Sequence, residues 1–223
     1  MRKTALTAVP VHPLLSERWS PRGFDRDHQV SDDDVAALLE AARWAPSAGN
    51  SQPWRFLVAR RGEQAHEQLF AALHPGNQEW AGAASALVLV AAGTTAGDGK
   101  PRPFALYDTG QAVAALVTQA QAHGLAAHQM GGFDGEQVRA AFGLDDGLTP
   151  VVVIAVGRTD PDAGLPAHLA ARETAPRTRY PISDLLLAST LPASTLPAST
   201  LPASTLPAST LPARTGASQL EAA

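Results

Sequence analysis

Cysteine is absent from this 223-residue chain. That excludes a disulfide framework, a thiolate nucleophile and any metal or iron–sulfur site built on sulfur, and it suits a reducing compartment. Charge of one sign is also scarce. The formal net charge is -4, which leaves no electrostatic footprint for nucleic acid or for an anionic membrane. No window approaches the ~18 consecutive apolar residues of a membrane span. The opening MRKTALTAVPVHP lacks the roughly 7–15 apolar residues of a signal-peptide core, because Thr7, Pro10 and His12 break it. The cytoplasm is the expected address.

Several chemical signatures are missing too. No G-x-G-x-x-G and no G-x-S-x-G occurs. AGDGKP around Lys100 fails as a phosphate loop, since Thr94 stands where the first glycine is needed and Pro101 follows the lysine. The seven histidines (12, 28, 66, 74, 123, 128 and 168) show no H-E-x-x-H or i,i+4 pairing, so no metal site is expected.

What remains has the composition of a globular domain, 45% hydrophobic and 17% charged, and the length fits one or at most two domains. Ser31 followed by DDDVAALLEAARWA predicts a helix over 32–45, with Ser31 and Asp34 forming a capping box and three acids at its positive end. WRFLVAR (54–60) alternates and is β-rich, a strand. A helix over 63–73 follows, then a loop, HPGNQEW. ALVLVAA (86–92) is an apolar run, the mark of a buried strand.

FALYDTGQAVAALVTQAQAHG predicts a long helix over 104–123 that stops at Gly124. It is apolar on nearly every side, more burial than one subunit of this size supplies, which argues for a dimer with Leu116 and Val117 facing the interface. LAAHQM (125–130) and PVVVIAVG (150–157) complete the strands, with a short helix over 135–142 between them. The order is not a strict βα alternation, so the fold class is α+β.

From Ala188 to Pro212 the unit ASTLP repeats five times. A five-residue period aligns its leucines on no face of a helix or strand, and proline at every fifth position removes backbone donors. This 188–223 tail is expected to be disordered or loosely polyproline II.

Four stretches carry the candidate chemistry. In ARWAPSAGNSQPWRF, Ser47, Asn50, Ser51 and Gln52 crowd hydrogen-bonding groups between Pro46 and Pro53. RWSPRGF sets Arg18, Ser20 and Arg22 at alternate positions, which share one side of an extended segment. APRTRYP repeats the device with Arg177 and Arg179. Arginine's planar fork suits a phosphate dianion; one such pair alone reads rather as solvated surface, and it is the two pairs bracketing the fold that point to a site. HQMGGFD ends a strand with Gly131 and Gly132, where a flat object fits against backbone; alone, that pair reads as an ordinary turn.

In this order the four stretches resemble the FMN-dependent nitroreductase family, and the resemblance covers residues 14–187, leaving 1–13 as an N-terminal extension. PSAGNSQPWRF is its most specific part and RWSPRGF the second. GNQEWAGAASALVLV, YDTGQAVAALVTQAQAHGLAAHQMGGFD and TPVVVIAVGR follow in the family's order.

The resemblance implies a central, mostly antiparallel sheet flanked by helices, in a homodimer that shares its domains and binds FMN at the interface. Arg18, Ser20, Arg22, Arg177 and Arg179 would hold the flavin phosphate. Asn77 would lie at the ribityl and pyrimidine side, and Gly131 and Gly132 at the N5 edge. Pro46, Ser47, Asn50 and Gln52 would come from the partner chain or line the ring. NADH or NADPH would be the co-substrate and a small molecule the electron acceptor, nitroaromatic or quinone-like. No side-chain acid or base is assigned. The short TTAGDGKPRP (94–103) lacks the aromatic insertion of larger members, which leaves the acceptor open. Dehalogenation, ring oxidation, flavin cleavage and non-catalytic FMN storage are the alternatives.

Overall fold

A computed structural model describes residues 3–187; the ASTLP tract lies outside them. Of these, residues 3–4 and 11–175 form one compact unit, and residues 5–10 and 176–187 belong to a second.

The larger unit is organised by four strands: β1 (Trp54–Arg60), β2 (Ala86–Gly93), β3 (Ala126–Met130) and β4 (Leu148–Gly157). They form one sheet in the order β1-β2-β4-β3, and every neighbouring pair is antiparallel. The eight residues of β2 are all buried, as the uninterrupted apolar run demands of a strand covered on both faces. Alternation then divides the core in two. Leu87 and Leu89 point to one side, with Leu69, Trp80, Val138 and Leu169; Val88 and Val90 point to the other, with Leu38, Leu116 and Val117.

Eight α-helices are described: α1 (Pro13–Ser16), α2 (Asp32–Arg43), α3 (Gln64–Ala71), α4 (Pro75–Ala81), α5 (Ala105–Ala122), α6 (Gly135–Phe142), α7 (Ala167–Thr174) and α8 (Ile182–Leu185). The capping box of α2 is present. Ser31 Oγ accepts from the Asp34 backbone N–H at 3.0 Å, and Asp34 Oδ2 accepts from the Ser31 N–H at 3.2 Å. Asp34 Oδ1 also meets His123 Nδ1 at 3.0 Å, tying the start of α2 to the end of α5. The two helices therefore run antiparallel on one face.

Two expectations are corrected. HPGNQEW is not a loop but α4. Pro75 sits in its first turn, where a missing N–H costs nothing, and burial of Trp80 at 2% exposure holds the turn against local Pro-Gly preference. Leu116 and Val117 do not face a partner. They are 0% and 3% exposed within the chain's own core, so the apolar breadth of α5 is used by the sheet beneath it and by α2 beside it.

Candidate functional site

The edge strand β3 is the scaffold. Just past its end, the Gly132 carbonyl accepts from Asn77 Nδ2 at 2.9 Å and from the His74 N–H at 3.0 Å, so the start of α4 is stitched to the glycine pair. A Cβ on Gly132 would stand 3.1 Å from Asn77 Nδ2 and 3.3 Å from His74 Nδ1, tighter than packing allows without a shift. A Cβ on Gly131 would meet nothing within 4 Å. Gly132 thus lies in close contact with Asn77 and His74, which a larger residue would displace, while Gly131 presents exposed backbone to open space.

The arginine segment packs on the same strand. His128, in the middle of β3, donates from Nδ1 to the Pro21 carbonyl at 2.8 Å and packs against Trp80, with ring centroids 4.4 Å apart and planes tilted by 35°. Trp80 stacks in turn on Phe24 at 6.1 Å. Burial pushes the His128 imidazole pKa down to about 4, and the Arg22 and Arg18 charges add to that depression. Both guanidiniums therefore lie close enough to be felt at β3. Arg18 Nη1 reaches Ser20 Oγ at 3.5 Å. Arg22 is turned to α7, its Nη1 3.4 Å from Glu173 Oε1, a carboxylate partner that residue alternation does not reveal.

The polar loop is built on backbone strain. Gly49, Asn50 and Gln52 all have positive φ (58°, 54° and 43°), inside a one-turn 3-10 helix over Ala48–Asn50 and just after it. Non-glycine residues in that region cost energy and concentrate at functional sites. Ser47 Oγ accepts from the Gln52 N–H at 3.1 Å, and Gln52 Nε2 donates to the Asn50 carbonyl at 3.2 Å. Pro46, Asn50 and Gln52 are exposed. The loop is anchored from α5, where buried Asp108 accepts from the Ala48 N–H through Oδ2 at 3.0 Å. Asp108→Ala strands that donor. A hydrogen bond to a charged group is worth about 1.5–3 kcal/mol, so Tm should fall by roughly 3–12 °C. Asp108→Asn, which keeps an acceptor, should recover most of it; a calorimetric scan of the three chains decides.

β3 and β1 are opposite edges of the sheet, three strand spacings of about 4.8 Å apart. One chain therefore gathers Arg18, Ser20, Arg22, Asn77, Gly131 and Gly132 around β3, and places Pro46, Ser47, Asn50 and Gln52 before β1. Arg177 and Arg179 belong to the second unit, between α7 and α8; Arg179 Nη1 donates to the Thr178 carbonyl at 2.7 Å. Among the described residues, no His, Asp and Glu side chains cluster as a metal site, and no helix is long and apolar enough to cross a membrane.

Three residues that shape the site were not picked out from sequence: His128, Asp108 and Glu173. An acid in the first turn of a largely apolar helix was a usable signal for Asp108. For the other two, the pairing is 107 and 151 residues distant, and no local pattern points to it.

The donor set around β3 is guanidinium, hydroxyl, side-chain amide and exposed glycine backbone. It fits a ligand that joins a phosphate to a flat, polar-rimmed ring. The fold is α+β, with donors of that chemistry gathered at one edge of its sheet. A model of the Nitroreductase family matches residues 15–80 and 64–158, and the chain belongs to that family. A Streptomyces coelicolor protein assigned as an NADH dehydrogenase/NAD(P)H nitroreductase is 31% identical over 160 residues, covering 63% of this chain and 81% of its own. Among solved structures, an oxidoreductase containing FMN is 36% identical, with a TM-score of 0.77 over 82% of this chain and 93% of that one. A protein from Desulfovibrio desulfuricans, assigned as a nitroreductase and solved in complex with FMN, is 29% identical, with a TM-score of 0.65 over 83% and 100%.

Proposed function

We propose that this chain is an FMN-dependent oxidoreductase that draws hydride from NADH or NADPH and delivers it to a small acceptor of the nitroaromatic or quinone class. The observation that carries this reading is the convergence of RWSPRGF and the Asn77–Gly132 stitch on the single edge strand β3. A bound flavin supplies the redox chemistry, taking up and releasing a hydride at N5. The protein's part is to bind and orient. Arg18 and Ser20 offer charge-assisted and neutral donors to the phosphate, with Arg22 beside them and Arg177 and Arg179 as further candidates. Asn77 fixes the glycine turn, and Gly131 leaves backbone uncovered where a ring edge fits.

The loop residues Pro46, Ser47, Asn50 and Gln52 serve the β3 site of a second copy in a homodimer. Their place at the far edge of the sheet supports this. So does the exposed aromatic surface beside them, formed by Trp44 at the end of α2 and by Phe104 and Tyr107 at the start of α5, which are 75%, 58% and 69% exposed.

The test is an absorbance spectrum of the purified protein, then anaerobic NADH or NADPH and an acceptor. A flavin band that bleaches and returns with turnover is expected. A band that does not bleach leaves a flavin-holding protein without this activity, and a colourless protein that takes up no FMN overturns the proposal. Arg18→Ala should weaken FMN binding by about 1.5–3 kcal/mol and riboflavin, which has no phosphate, far less; equal losses in a fluorescence titration would remove Arg18 from the phosphate site.

A further inference from the structure

The peptide unit between Pro21 and Arg22 is held from both sides. Its carbonyl accepts from His128 Nδ1 at 2.8 Å, and its N–H donates to Glu173 Oε2 at 3.1 Å. These two bonds fix the rotation of one peptide plane in the middle of the segment that carries Arg18, Ser20 and Arg22. A cavity of about 140 Å³ lies against the segment, lined by Trp19, Pro21, Gly23, Asp160 and Glu173 among others. Farther on, the Gly23 carbonyl accepts from the Asp160 N–H at 3.1 Å and Phe24 bridges to Thr159. The chain is therefore held beyond Arg22 at Gly23 and Phe24, and in the middle of the arginine segment at the Pro21–Arg22 peptide.

We propose that His128 is a positioning residue for the phosphate-binding segment: by holding the Pro21 carbonyl opposite Glu173, it sets the direction in which Arg18 and Ser20 present their donors to a phosphate monoester. The inference rests on the phosphate reading given above and goes beyond it. A carbonyl has no proton to give, so Nδ1 must carry the hydrogen, and His128 is the Nδ1–H tautomer. Burial keeps the ring neutral, and the tilted packing against Trp80 at 4.4 Å restricts its movement. Neutrality matters here, because a third positive charge beside Arg18 and Arg22 would push their guanidiniums apart. Asparagine places an amide N–H near the position of Nδ1–H; leucine fills similar space and donates nothing.

The experiment measures FMN and riboflavin affinity for the parent chain, His128→Leu and His128→Asn. The leucine variant should lose about tenfold or more in FMN affinity with riboflavin changed less than threefold, and asparagine should restore FMN binding to within about threefold. Equal losses for both flavins show a structural role only and overturn the proposal, as does an unchanged preference for FMN. A parent that binds both flavins equally refutes the phosphate reading itself, which separates that failure from failure of the clamp. If His128→Leu does not fold, the nitrogen spectrum of the parent imidazole decides, with its signal assigned by absence from His128→Asn. A proton on Nδ1 from pH 8 to 5.5 supports the clamp, and a proton on Nε2 overturns it.

Discussion

A Val117→Glu chain is expected to lose a large share of its folding stability rather than merely a partner. Val117 is 3% exposed and Leu116 is fully buried, both packed in the cluster that includes Val88, Val90, Ile154 and Val156. A carboxylate there has no cation and no hydrogen-bond donor in reach among those apolar neighbours. An unpaired buried charge costs about 3–5 kcal/mol, against a total stability on the order of 5–15 kcal/mol. Denaturant titration followed by circular dichroism should show the midpoint collapsing and flavin lost with the fold. A variant that melts within about 1 kcal/mol of the parent would mean α5 does not lie on the sheet as described.

Acid should destabilise the protein well above the range where carboxylates titrate. The cause is His128, whose pKa burial lowers from 6.5 to about 4, with the Pro21 carbonyl opposing and Arg22 assisting the shift. In the unfolded chain this group takes up its proton near 6.5, and in the folded chain only near 4. Between the two the unfolded state binds more protons, so stability is full above pH 6.5 and falls as the pH drops. The loss from this residue is about 2 kcal/mol at pH 5 and on the order of 3 kcal/mol by pH 4. His28 and His66 are also lowered by burial and act in the same direction. Urea midpoints at pH 7 and pH 5 read the effect, and His128→Asn should flatten it. A parent equally stable at both values would place His128 in water, contrary to its packing.

The sequence made legible what short-range physics controls. Ser31 and Asp34 marked the start of α2 because a capping box is complete within four residues. The apolar run of β2 marked a strand buried on both faces because nothing polar interrupts it. Pro46 to Pro53 stood out because a plain connector has no use for so many amides and hydroxyls. Illegible were the features decided by partners far along the chain. Pro75-Gly76 looks like a turn until Trp80 finds Phe24 and His128. The breadth of α5 looked like an interface until β2 and α2 claimed Leu116 and Val117. Arginines at alternate positions gave no sign that Arg22 would be met by Glu173.

The strand order has a consequence for how the chain is made. β2 is the most apolar strand, and its two neighbours are β1, which precedes it, and β4, which ends at residue 157. During synthesis, β1 is already available to cover one edge of β2. The other edge stays open until β4 emerges, after roughly 60 further residues, which is on the order of 3–12 s at ordinary translation rates. Throughout that interval the nascent chain displays an uncharged run, Ala86–Ala92, of the kind that pairs with copies of itself. The helix that will cover it, α5, is made within the same interval. Until β4 arrives, that open edge is a place where neighbouring nascent chains can pair.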